Sequence, residues 1–147
     1  MSKTVKTKFI EPYTKEGDKF KTNLDFLCSK CHNSGVYFIK SEKTGEVIYI
    51  GYSAGNLYKT IYRHFQRWND QKQERFVYSK IGYSIRVILT PPARAALLEK
   101  YLIQKHKPKD NEMKYNNYLT ERQTERASEI INSIPTVSVN ELIEVPF

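Results

Sequence analysis

Gly35-Val36-Tyr37-Phe38-Ile39-Lys40, the polar stretch Ser41 to Gly45, and Val47-Ile48-Tyr49-Ile50 together decide the fold. Both apolar runs are β-branched and aromatic, the residue types that suit a pleated, half-buried surface. Two such strands with a short polar connection make a hairpin. Gly51-Tyr52-Ser53-Ala54-Gly55 follows as a loop, and Asn56 is the expected N-cap of a helix running to about Asn69. Leu57, Ile61, Phe65 and Trp68 recur there at i, i+4, i+8 and i+11, a single apolar stripe. Thr60, Arg63, His64 and Arg67 fall in a neighbouring arc of about 100°. One side of this helix packs; the adjacent side offers cations and an imidazole.

Downstream, Tyr83-Ser84-Ile85-Arg86-Val87-Ile88-Leu89 alternates and is β-rich, so it predicts a third strand. Thr90 is the expected cap of a helix opening on Pro91-Pro92, running to about His106 and stopping before Pro108. A polar helix is expected from about Thr120 to Ile134, and Val137 to Val145 has no clear character. The fold class is therefore α+β: a small mixed or antiparallel sheet of about three strands flanked by helices. Residues 1–34 carry many Lys and Thr and no clear period, and predict a basic arm with local turns at Pro12 and Gly17-Asp18. The organisation expected is an arm over 1–34, a core domain over 35–116 and a helical extension over 117–147.

The 147 residues suffice for one domain. Hydrophobic residues at 39% allow a real core, which excludes wholesale disorder. No run approaches the roughly 18 apolar residues that span a bilayer, and Met1 to Phe9 lacks an apolar signal core. The expectation is a soluble, cytoplasmic protein without membrane contact. Lys and Arg number 24 against 16 acids, a net charge of +8, which favours a polyanion such as nucleic acid.

Glu99 does not fit its surroundings. Helical geometry sets Pro92, Ala95, Ala96, Leu102, Ile103 and His106 within about 60° of it, so it lies on the apolar face. A buried carboxylate pairs with a cation, stays protonated or binds a metal. The bland outcome is a salt bridge to a strand Lys or Arg.

In order, Gly35-Val36-Tyr37, Tyr49-Ile50-Gly51, a helix carrying Arg and His, Glu99 and Asn111 resemble the GIY-YIG nuclease superfamily over about residues 34–116. The resemblance implies a metal-dependent endonuclease that hydrolyses a phosphodiester bond in DNA, duplex or branched; the sequence leaves RNA open as a substrate. It implies one divalent ion, Mg²⁺ or Mn²⁺, held by Glu99, and Tyr37 and Tyr49 lining the scissile phosphate, one of them as base or water-orienting group. A helix Arg clamps the phosphate in that family, a His such as His64 assists, and an Asn such as Asn111 shapes the site. Elementary chemistry asks for the same parts: a cation for developing charge, an activated water and a proton for the leaving oxygen. At an ordinary pKa of about 10 a tyrosine base needs a nearby cation.

One position departs from the pattern. Aligned on Asn56-Leu57 and His64-Phe65, the family arginine falls on Thr60, so the clamp is expected to move to Arg63, with Arg67 on the same side. Lys107 and Lys109, beside Asn111, are the expected contacts to flanking phosphates. Two other readings compete: a catalytically silent nucleic-acid-binding module on the same fold, and a basic protein that binds an acidic partner. Cys28-Ser29-Lys30-Cys31-His32 spells the c-type haem attachment pattern, but without export or a second ligand pair an arm turn is expected.

Overall fold

The computed structural model describes residues 4–27, 33–66 and 77–139. Strands β1 (Val5–Thr7), β2 (Tyr13–Glu16) and β3 (Lys19–Thr22) precede the expected hairpin, β4 (Gly35–Ser41) and β5 (Val47–Ser53). Helix α1 (Leu57–His64), strand β6 (Tyr83–Leu89), helix α2 (Pro92–His106), helix α3 (Glu121–Ser133) and strand β7 (Thr136–Val137) follow. Two 3-10 segments, Leu24–Leu27 and Lys109–Lys114, link them.

The main sheet has five strands in the order β5-β4-β6-β1-β7, antiparallel except for the β1–β7 pair; β2 and β3 form a separate hairpin. The α+β class and the β4–β5 hairpin are as expected, but three strands are too few. The described part of 1–34 is not a loose arm: β1 pairs with β6 through Val5 and Leu89, and β7 pairs with β1 through Thr136 and Lys6. Strands of two or three residues leave no periodic trace in a sequence. The turn expected at Gly17-Asp18 is present, with Gly17 at φ +64° joining β2 to β3.

Both faces of the sheet are covered, which explains the nearly continuous apolar runs of β4 and β6. Tyr37, Ile39, Ile85 and Val87 face Leu57, Ile61 and Phe65 of α1 and its cap, with Leu24 and Leu27. Val36, Phe38, Ile50 and Ile88 face Ala95, Leu98, Leu102 and Ile103 of α2, with Ala127 and Ile130 of α3 beyond. Gly35 permits the closest approach in the sheet, because a Cβ there would overlap the Ile88 carbonyl and sit 3.1 Å from Leu57 Cδ1.

The helix ends test the local readings. Asn56 caps α1 as expected, its side chain accepting from the Lys59 N–H at 3.0 Å. That helix stops at His64, short of Asn69; residues 67–76 lie outside the described part. Thr120 caps α3 through a reciprocal capping box with Gln123. Thr90 does not cap α2: its hydroxyl bonds Thr4 Oγ1 at 2.9 Å, and Pro91 stands at the cap with no side-chain bond. Prolines in the first turn lose nothing by lacking an N–H. Among the described residues no helix is long and apolar enough to cross a membrane.

Candidate active site

Strand register creates the centre of the site. Tyr37 lies directly opposite Gly51 and Ile39 opposite Tyr49, so the two tyrosines are diagonal neighbours on one face of the hairpin. Their rings stack with centroids 6.0 Å apart. Gly51 leaves the space this needs: a Cβ there would come within 2.5 Å of Tyr37 Cζ and Oη and 2.9 Å of Tyr49 Cε1. The glycines that bracket the hairpin thus have separate jobs, Gly35 for strand packing and Gly51 for the tyrosine pair.

His64 is the first revision. It was expected on a polar arc of α1, yet it is buried together with Leu57 and Ile61. Its Nε2 is 2.8 Å from the Tyr37 hydroxyl, and its ring lies 4.8 Å from Tyr49 and 5.5 Å from Tyr37. The tautomer decides which partner donates. Loss of water holds the Tyr37 phenol well above its ordinary pKa, and Tyr49, the negative charge of Glu99 and Tyr78 add to the shift. Raised from an ordinary value already above neutrality, Tyr37 is a neutral phenol at physiological pH.

Glu99 is buried as its place on α2 predicted, 4% exposed. Its Oε2 accepts from Lys114 Nζ at 3.2 Å, a partner in the second 3-10 segment and not on a strand. Desolvation pushes its pKa up; Lys114 and then Lys100 only partly oppose that. The Lys114 side chain is 44% exposed, so its ammonium can return to water when another cation takes its place.

The donor set limits which metal suits the site. Among the described residues no three His, Cys, Asp or Glu side chains gather to hold an ion, so a zinc-type cage does not fit. One buried carboxylate does fit Mg²⁺ or Mn²⁺, which bind through one or two carboxylates and complete their shell with water and phosphate oxygens.

Asn111 is buried and acts on the backbone. Its Oδ1 accepts from the Ile50 N–H at 2.7 Å and its Nδ2 donates to the Ile50 carbonyl at 2.8 Å. The amide thus pairs with the outer edge of β5 as a neighbouring strand would, and fixes the segment that carries Tyr49 and Gly51. Beside it, Asp110 Oδ2 accepts from the Tyr78 hydroxyl at 2.6 Å, while the Tyr78 ring lies 6.0 Å from His64 and its N–H bonds the His64 carbonyl at 2.7 Å. Tyr78, Asp110 and Lys114 were missed from the sequence, where each stands in a polar or irregular stretch with no period.

The cationic positions are more scattered. Arg63 is exposed on α1, and Thr60 is tied to its own helix, its hydroxyl donating to the Asn56 carbonyl at 3.0 Å. Lys107 and Lys109 are exposed; Lys107 Nζ donates to Gln104 Oε1 at 3.0 Å and lies 5.0 Å from the Tyr115 ring. Arg67, Cys28 and Cys31 lie outside the described residues. The structure thus brings Tyr37, Tyr49, His64 and Glu99 together, with Asn111 supporting β5, and leaves Arg63, Lys107 and Lys109 at the surface.

Comparison with known proteins places part of the chain in a family. The chain is 37% identical over 78 residues to the UvrABC system protein C of Protochlamydia amoebophila, 52% of this chain and 12% of that protein. It is 39% identical over 87 residues to the protein of that name from Methylococcus capsulatus, 58% of this chain and 14% of that one, and 38% identical over 78 residues to that of Chlamydia caviae, 52% and 13%. The chain thus spans a small fraction of the length of these curated relatives. Residues 33–112 match the model of the UvrC-like GIY-YIG domain, more than half of the 147 residues, and the chain belongs to that family of the GIY-YIG nuclease superfamily.

Proposed function

We propose that the chain is a divalent-metal-dependent endonuclease that hydrolyses phosphodiester bonds in DNA at the group formed by Tyr37, Tyr49, His64 and Glu99. The observation that carries this reading is a buried carboxylate set beside a hydrogen-bonded phenol–imidazole pair in a chain of this family. Bound at Glu99, Mg²⁺ or Mn²⁺ supplies a Lewis acid that offsets negative charge building on the phosphate. Glu99 would hold that ion in place of the Lys114 ammonium.

The chain's own residues handle the proton. A phenol held neutral by burial is a poor base alone, but its hydroxyl can pass a proton on. As the attacking water bonds to phosphorus, its proton moves to Tyr37 Oη, and the phenol's proton moves to His64 Nε2. The bond to the leaving oxygen breaks as the new P–O bond forms, the leaving alkoxide takes a proton from solvent water, and His64 afterwards releases its own to solvent. The Tyr49 hydroxyl orders the water beside the stacked rings. Arg63 serves as the relocated phosphate clamp, and Arg67, Lys107 and Lys109 contact neighbouring phosphates.

A silent nucleic-acid binder is the second reading, favoured by the uncharged, back-bonded Thr60 at the family arginine position and by the Glu99–Lys114 pair. A panel of duplex, branched and single-stranded DNA, with RNA counterparts, separates the two. Cleavage in Mg²⁺ or Mn²⁺ that stops with EDTA supports the nuclease. Salt-sensitive binding with no cleavage of any substrate supports the binder.

A further inference from the structure

Arg86 is an anomaly on the opposite face of the sheet. It sits in mid-strand on β6, directly across from Phe38 of β4, with its guanidinium carbon 4.3 Å from the Phe38 ring centre and 5.0 Å from that of Phe9. The two rings hold the planar group in one orientation. Its Nε is wholly enclosed and has no hydrogen-bond partner. Among the described residues Glu99–Lys114 is the ion pair present, and no described carboxylate pairs with Arg86.

The charged neighbours have the same sign. Lys40 Nζ lies 4.5 Å from the centre of the same Phe9 ring. At the end of α2, burial, then Lys105 and then Arg86, depress the His106 pKa, so that imidazole adds no counter-charge and stays neutral near pH 7. Cation–π contact is worth about 0.5–2 kcal/mol and leaves the formal charge in place. A half-buried cation among cations is costly unless an anion binds there. A fixed guanidinium fork matches phosphate oxygens, and an ammonium on the same Phe9 ring adds positive charge to that face.

We propose that Arg86, with Lys40 on the same Phe9 ring, forms a second phosphate-binding site that takes a backbone phosphate of bound nucleic acid. The proposal rests on the nucleic-acid reading above but not on cleavage. Seven residues separate His106 from Glu99, about 10 Å along α2, so this contact is distinct from the one at the Glu99 carboxylate. It engages the substrate away from the bond being cut.

The test is duplex affinity of the full chain in EDTA, followed by fluorescence anisotropy across a salt series, with circular dichroism confirming the fold of each variant. One phosphate contact contributes about 0.9 to the slope of log affinity against log salt, so Arg86→Gln is expected to flatten the slope by that amount and weaken binding about eightfold at 0.1 M salt. Lys40→Gln flattens it in the same direction. Arg86→Lys, which keeps the charge, keeps the slope. A wild-type slope in folded Arg86→Gln and Lys40→Gln overturns the proposal. A parallel titration of the wild type with inorganic phosphate, read at the Arg86 Nε–Hε NMR signal, distinguishes the source of the anion. Saturable movement of that signal together with the slope change supports the site; movement with no slope change reassigns it to free phosphate compounds and overturns the nucleic-acid contact. Wild-type chain that binds no duplex sinks this proposal along with the binding reading, whereas binding without cleavage leaves it intact and removes only the nuclease.

Discussion

Glu99 carries a conflict between stability and chemistry. Its carboxyl pKa is raised in the fold by burial, so the folded state holds the proton more tightly than the unfolded chain does. The stability it contributes is therefore present below its unfolded pKa and lost as pH rises through the folded one. Glu99→Gln is accordingly expected to raise the unfolding midpoint by a few degrees at pH 7, with the gain vanishing below about pH 4. Thermal melts across pH check this; equal melting at both pH values contradicts it. Under the proposed mechanism cleavage is expected to have the opposite dependence, rising as pH climbs through the raised Glu99 pKa, because only the carboxylate would hold the ion. Gly51→Ala tests the tyrosine pair: its methyl group must displace Tyr37 and Tyr49, and a shift of about 1 Å is expected to lower the cleavage rate about 100-fold. Duplex affinity unchanged with the rate lost is the expected pattern; an unchanged rate rejects the packing account.

Strand β5 is the edge of the main sheet, and the Asn111 amide satisfies Ile50 where no further strand does. Asn111→Ala leaves a buried N–H and a buried carbonyl without partners, at a cost of about 2–4 kcal/mol. Urea denaturation measures that directly, and a loss under about 0.5 kcal/mol contradicts the clamp role. This element also shows what a sequence can and cannot carry. The hairpin and α2 were legible because residues 35–50 are β-rich runs around a polar turn and residues 92–106 have a helical period that set Glu99 on the packed side. The burial of His64 was not, since a period of 3.6 places it at the border of the stripe and tertiary packing decides. Lys114 and Tyr78 reach the site from irregular segments, where no period exists to read.

The whole molecule depends on pairings distant in sequence. Strand β1 fills the position between β6 and β7, so the first residues and the last described ones join the same sheet. Removing residues 1–8 is expected to expose the β6 edge and destabilise the entire domain, giving a lower, broader urea transition and a tendency to associate. A truncated chain that unfolds as the full chain does contradicts this. That part of the fold was invisible beforehand because a three-residue strand earns its identity only from its partners. The two cation groups, at Glu99–Lys114 and at Arg86, lie on different parts of this one scaffold and divide the proposed work between cutting and holding.

The central claim is that the Glu99 carboxylate serves cleavage. Its most direct measurement is the rate of Mn²⁺-dependent plasmid nicking by the wild-type chain and by Glu99→Gln, both verified as folded. The account predicts nicking by the wild type and a loss of at least about 1,000-fold in the variant. Equal rates in the two, or no nicking by the wild type on any plasmid, contradict it.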